Sequence, residues 1–165
     1  MRREIDYVDA EGLDLKESVI KVNRTAKVMK GGRRFGFSAL VVVGNGQGVI
    51  GLGFGKAREV PPAVEKAVAD AKKRLVRVSL RGTTVPHPFT ASFRASTIKV
   101  LPAAPGTGIL AGQSVRAVLE AVGIRDVLSK ALGSTNAINL AKAVFDGLIS
   151  MRTRKAIAER RGVTL

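Results

Sequence analysis

Phe35-Gly-Phe-Ser-Ala-Leu-Val-Val-Val-Gly-Asn-Gly-Gln-Gly-Val-Ile-Gly-Leu-Gly-Phe-Gly55 reads as two strands and the turn between them. Phe35, Phe37, Ala39, Val41 and Val43 alternate along the first strand and therefore share one of its faces. Gly44-Asn45-Gly46-Gln47-Gly48 supplies the turn, because glycine and asparagine accept positive φ at little cost. In the second strand Ile50, Leu52 and Phe54 take one side, and Gly51, Gly53 and Gly55 take the other. A strand face made of glycine has no side chains of its own, so another backbone or a helix can approach it closely. Pro61 and Pro62 open a helix just downstream, where their missing N–H groups cost nothing. Its apolar stripe is Val60, Val64, Ala67, Val68, Ala71 and Leu75, with Lys66, Lys72, Lys73 and Arg74 off the stripe.

Working outward toward the N-terminus, Ile20, Val22 and the run from Arg24 to Lys30 predict a further strand that ends at Gly31-Gly32. The first unit is therefore an antiparallel β-β-β-α over about 18–76. Arg81-Gly82-Thr83-Thr84 marks a boundary. Beyond it, 85–93 and 97–101 predict two strands, and Pro102 to Gly112 predicts a loop ending near Ser114. Val115, Val118, Leu119 and Val122 lie at helical spacing, and Gly123 stops that helix. Ile124 to Leu132 fits either a short strand or a helical turn. Asn136 caps a last helix carrying Ile138, Ala141, Val144, Phe145, Leu148 and Met151. The fold class is α+β, with β-β-β-α followed by β-β-α-β-α. The expected division is an acidic flexible arm at 1–17, units at 18–81 and 82–151, and a basic tail at 152–165. Units this small are marginal alone, so mutual packing or a ligand is expected to stabilise both.

Charge narrows the function. The 165 residues carry 28 Lys and Arg against 13 Asp and Glu, a formal net charge of +15. Six acids crowd into residues 1–17, and from Ser18 to Arg58 there are eight bases (Lys21, Arg24, Lys27, Lys30, Arg33, Arg34, Lys56, Arg58) without one acid. A chain needing only solubility would mix the signs, so the block points to a polyanionic partner. Cysteine is absent and His87 is the single histidine, which removes thiolate chemistry, disulfides and Cys- or His-rich metal sites. The aliphatic run Ala39 to Val43 is far short of the about 20 residues of a membrane helix, and Met1-Arg-Arg-Glu-Ile-Asp6 turns acidic where a signal peptide turns apolar. The expectation is a soluble, intracellular protein with no membrane partner.

Four motifs suggest other chemistry. Gly46-Gln-Gly-Val-Ile-Gly51 fits the dinucleotide pattern, but a strand follows it where the pyrophosphate needs a helix N-terminus. Gly55-Lys56 echoes a phosphate-binding loop, yet Ile50 stands at its first glycine and Ala57 at its hydroxyl position. Arg33-Arg-Phe-Gly-Phe37 echoes an RNA-stacking signature, but the upstream helix it requires is missing; Phe35 and Phe37 are read as core residues under the helix. Pro105-Gly-Thr-Gly108, just before a helix, reads as a structural loop with an anion contact on its N–H groups. His87, between Pro86 and Pro88, is a packing or surface residue. No catalytic constellation and no metal or cofactor site emerges, and no small-molecule substrate is expected.

The hairpin around Gly31-Gly32 gathers Arg24, Lys27, Lys30, Arg33 and Arg34 on its two legs, and Lys56 and Arg58 extend the block. Such a hairpin can enter a folded RNA and neutralise several phosphates together. With six Phe, one Tyr and no Trp, base stacking is not the main term, and shape and backbone contact with structured RNA fit better. A nucleotide-binding enzyme, from the glycine loops, and a DNA-binding architectural protein, from the charge, are the alternatives.

The stretch from Gly32 to Pro61, together with Leu101-Pro-Ala-Ala-Pro-Gly-Thr-Gly-Ile-Leu-Ala-Gly112, Arg116-Ala-Val-Leu-Glu120 and Leu132-Gly-Ser-Thr-Asn136, resembles the bacterial ribosomal small-subunit protein five family over about 18–162. The resemblance implies an N-terminal domain like a double-stranded-RNA-binding domain lacking its first helix, and a C-terminal domain with a left-handed β-α-β crossover. It implies a cytoplasmic, non-enzymatic constituent of the small ribosomal subunit that binds 16S rRNA. Implied partners are small-subunit proteins four and eight, with the path by which messenger RNA enters close by. It also implies a contribution to translational accuracy. Lys27, Lys30, Gly31, Gly32 and Arg33 match the family's loop near the spectinomycin site, and Gly108 and Arg116 match the accuracy-linked boundary with protein four.

Overall fold

A computed structural model describes residues 7–10 and 12–163. The first sheet has the order β1-β2-β3-β4, with β1 at Lys16–Met29, β2 at Gly32–Gly44, β3 at Val49–Ala57 and β4 at Val76–Arg77. All its neighbours are antiparallel. Helix α1, Val60–Lys72, follows β3 with prolines in its first turn. The second sheet has the order β5-β6-β8-β7, with β5 at Phe89–Phe93, β6 at Ser96–Pro102, β7 at Ile109–Leu110 and β8 at Val127–Gly133. Helices α2 (Gln113–Val122), α3 (Ala137–Ser150) and α4 (Arg154–Arg161) complete the fold. Strands β7 and β8 are parallel and joined through α2, which makes a β-α-β unit.

The glycine face does what its composition dictates. A methyl group built on Gly51, Gly53 or Gly55 would run into the carbonyl oxygens of Ala71, Ala67 and Ala63, three residues spaced one helical turn apart on α1. Ala39, Val41 and Val43 of β2 close the same small core with Ala63, Ala67 and Ala71. Asp70 adds an anchor, its Oδ2 accepting from the Phe54 N–H at 3.1 Å beyond the reach of β4.

The opposite face of the same strands is buried as well. Leu40, Val42, Ile50 and Leu52 join Val115, Val118, Leu119 and Val122 of α2 and the inner faces of β6 and α3 in one continuous core. The β2–β3 turn seals this contact: the Gly46 N–H donates to Ala121 O and the Gly48 N–H to Val122 O, at 3.1 and 2.8 Å. The two units therefore bury apolar surface against each other. Gly123, at φ 99°, ends α2 in the left-handed region, and a side chain built on it would run into the Gly46 backbone carbonyl.

Several local expectations change. Strand β1 begins at Lys16, with a bulge between Val19 and Lys21. Residues 85–88 are not strand; Pro86 and Pro88 lack the N–H groups a ladder needs, and pairing starts at Phe89. The ambiguous segment 124–132 resolves as β8, whose parallel partner β7 lies inside the predicted loop. The basic tail contains α4, capped by the Thr153 hydroxyl. Of the acidic arm, Glu4, Asp6 and Glu11 fall outside the described residues, whereas Tyr7 bridges to Val76 and Glu17 pairs with Lys72 at 3.0 Å.

Candidate nucleic-acid interface

Strand β3 stops pairing with β2 at Ala57↔Phe37, but β1 and β2 continue from Arg24↔Phe37 to Met29↔Gly32. At about 3.3 Å per residue, a two-stranded ribbon runs about 17 Å past the sheet. Lys30 and Gly31 turn the chain, with Gly31 at φ 111° and Gly32 at φ 136°, a conformation that L side chains resist. Nothing lies within 4 Å of a side chain built at either glycine, so the requirement there is conformational and the tip is open.

Register sorts the predicted residues onto two faces. Arg24, Ala26 and Val28 of β1 stand opposite Phe37, Phe35 and Arg33, which puts Arg24, Val28, Arg33 and Phe35 on one side of the ribbon. Lys27 stands directly opposite Arg34 on the other side. Two like charges facing each other across a ladder destabilise it, and an external anion relieves that repulsion. Lys56 pairs in register with Ser38 on this second side and lies 5.5 Å from the Phe54 ring, and Arg58 is exposed where the ribbon leaves the sheet. The structure thus brings Arg24, Lys27, Lys30, Gly31, Gly32, Arg33 and Arg34 together and sets Lys56 and Arg58 at the base.

Phe35 corrects the sequence reading. It is 48% exposed and carries the Arg24 guanidinium 4.7 Å above its ring, because β3 and α1 do not extend far enough to cover it; Phe37, two residues on, packs under α1 as expected. Val28, 74% exposed, and Met29 also present apolar surface near the tip, a feature that charge counting overlooked. Its signal was an apolar pair placed in a segment too short to be covered.

The second glycine loop, 105–108, also departs from expectation. Its N–H groups do face an anion, but the anion belongs to the chain: Asp126 Oδ1 accepts from Gly106 N–H at 2.9 Å and Gly108 N–H at 3.0 Å. No free phosphate contact is available there. Asp126 is 5% exposed. The Thr83 hydroxyl, then the backbone N–H groups, hold its carboxyl below the ordinary value against the opposing effect of burial. Gly108, at φ 77°, adjoins Ile109, whose carbonyl accepts from Arg116 Nη2 at 2.7 Å. Gly108 and Arg116 are therefore neighbours through Ile109, although eight positions apart in sequence. Asp126 escaped the sequence reading because a lone aspartate gives no sign of burial.

His87 Nδ1 lies 2.9 Å from the Pro88 carbonyl, in a bend of the chain. Among the described residues no group of three His, Cys, Asp or Glu could hold a metal ion, and no helix is long and apolar enough to cross a membrane. The Gly46–Gly51 motif is a hairpin turn docked on α2, with its N–H groups at Gly46 and Gly48 already used.

Residues 15–79 match the family described as ribosomal protein S5, N-terminal domain, and residues 91–161 match ribosomal protein S5, C-terminal domain. The chain is 50% identical over 165 residues to a small ribosomal subunit protein uS5 of Dehalococcoides mccartyi, covering 100% of this chain and 96% of that one. It is 49% identical over 163 residues to the protein of the same name from Flavobacterium psychrophilum, covering 99% and 94%. A third relative of that name, from Alcanivorax borkumensis, is 51% identical over 148 residues, covering 90% and 89%. With both halves matched in order and whole-length identity near one half, the chain belongs to the ribosomal protein S5 family.

Proposed function

We propose that this chain is a structural constituent of the small ribosomal subunit, in the cytoplasm, that binds 16S rRNA through the β1–β2 ribbon. Its family is one of ribosomal proteins and not of enzymes. The observation that carries the proposal is the ribbon itself, which projects past β3 with Arg24, Lys27, Lys30, Arg33 and Arg34 exposed in a segment free of acids. A phosphate on the face shared by Lys27 and Arg34 would relieve their repulsion, and Val28, Met29 and Phe35 would cover apolar sugar or base edges. Lys56 and Arg58 would meet backbone at the ribbon's base. The neighbouring proteins are small-subunit proteins four and eight, with the messenger path close by. The Gly108–Arg116 surface faces protein four and contributes to decoding accuracy.

Sedimentation of the tagged protein through a sucrose gradient at low and moderate salt tests the first statement. Stoichiometric migration with the small subunit is expected, and migration as a free small protein in both conditions would overturn it. Arg116→Leu tests the second. Loss of the bond to the Ile109 carbonyl is expected to raise stop-codon readthrough, and a rate equal to wild type would remove the accuracy role from this surface.

A further inference from the structure

The loop 105–108 is shaped by a residue far along the chain. Asp126 accepts from Gly106 and Gly108, and the Thr107 N–H and Thr83 hydroxyl also face its carboxylate. The backbone around it is tied to the same neighbours: Arg125 N–H and Asp126 N–H both donate to Thr83 O, at 2.9 and 3.1 Å, and Val127 N–H donates to Gly108 O at 3.1 Å. Ala103 N–H reaches the Thr84 hydroxyl at 3.3 Å. Three segments distant in sequence (83–84, 103–108 and 125–127) thus meet at one buried carboxylate. A ring of N–H groups around an anion is a rigid arrangement, since turning any one of them away leaves a donor unpaired beside a buried charge.

The turn so held leads directly into β7. Ile109 pairs in parallel register with Val127, the residue after Asp126, and its carbonyl receives the Arg116 guanidinium. We propose that Asp126 is a positioning residue for the surface formed by Gly108 and Arg116: it sets the path of the 105–109 turn and, through the Ile109 carbonyl, the direction of the exposed Arg116 side chain. The proposal rests on the accuracy role given to that surface above. Asp126 itself need touch no partner. Asparagine at this place keeps one acceptor oxygen for the Gly106 and Gly108 N–H groups but removes the negative charge, which weakens the hold on the turn. Thr83→Val removes one donor only and is the milder change.

The test uses small subunits carrying full-length Asp126→Asn, Thr83→Val, Arg116→Leu, or Asp126→Asn with Arg116→Leu, each shown to hold the protein stoichiometrically. Readthrough is measured per subunit, so poor incorporation does not masquerade as misreading. Asp126→Asn is expected to raise readthrough by roughly two- to fivefold, with Thr83→Val raising it less; because both variants act through one route, the double variant should match Arg116→Leu alone and not the product of the two. Wild-type readthrough in Asp126→Asn, beside an elevated rate in Arg116→Leu, would overturn the positioning role and leave the surface reading intact. Independent, multiplying effects would overturn it too. Should Arg116→Leu be silent, the accuracy reading falls by itself. The positioning geometry is then judged by NMR on the free full-length chain. An unshifted Arg116 Nε resonance and unchanged Gly108 amide exchange in Asp126→Asn would sink it, and changes in both would uphold it.

Discussion

Strand β2 serves two opposite purposes along its length, while its partner β1 is exposed or half-buried throughout. At the base of β2 Leu40 and Val42 face α2 while Ala39, Val41 and Val43 face α1, and all five are 0–1% exposed. At the ribbon tip, residues 24–35 are exposed throughout. The backbone geometry is the same at both ends, and what differs is which elements reach them. Burying both faces converts the base into the centre of two cores, so its side chains answer to volume. Leaving both faces open makes the tip a surface whose side chains answer to an external partner. The division lies at the row Arg24, Phe37, Ala57, where β3 ends.

The sharpest way to break this contrast is at the base. Gly53→Val should destabilise the full-length chain by about 3 kcal/mol or more, because the added methyls meet backbone of α1 that has no freedom to withdraw. Urea denaturation measures it, and a wild-type midpoint would show that α1 does not depend on the glycine face. Charge reversal at the tip should behave in the opposite manner. Lys27→Glu combined with Lys30→Glu should leave folding stability within about 0.5 kcal/mol of wild type. The same pair should reduce the salt dependence of binding to 16S rRNA by about 1.4–1.8 in log–log slope, because two cations no longer displace counterions from phosphates. An unchanged slope would remove the tip from the interface.

The smallest effect sharpens the contrast between outward and inward charge. Asp126 has a folded-state pKa below its ordinary value, so its ionised form stabilises the fold above the usual carboxylate range. That contribution is lost as pH falls through the lowered folded-state value. The stability gap between wild type and Asp126→Asn should therefore be widest at neutral pH and close in acid, as read by thermal unfolding across a pH series. A gap that stays constant into acid would mean that the carboxylate's charge plays no part.

Much of this molecule is legible in the order of its residues. Gly51, Gly53 and Gly55 opposite Ile50, Leu52 and Phe54 determine by themselves that β3 packs one face on a closely approaching backbone, since the period-two pattern and the lack of Cβ atoms are local properties. The apolar stripes of α2 and α3, the Asn136 cap and the acid-free basic hairpin are local in the same sense, whereas in the stripe read for α1 Val60 is exposed, Leu75 lies past the helix end and Ala63 is buried instead. What the tertiary structure alone decided depends on where other segments end. Phe35 alternates with Phe37 in sequence, yet only Phe37 is covered, because β3 and α1 stop short of the tip. The loop 105–108 has the composition of an anion site, and only the fold brings Asp126 into it from about 20 positions away. Strand β7 is two residues long, too short for any periodicity, and it exists because β8 offers it a free edge. Composition and spacing determine what a segment can do with its neighbours, and long-range packing determines which neighbours it has.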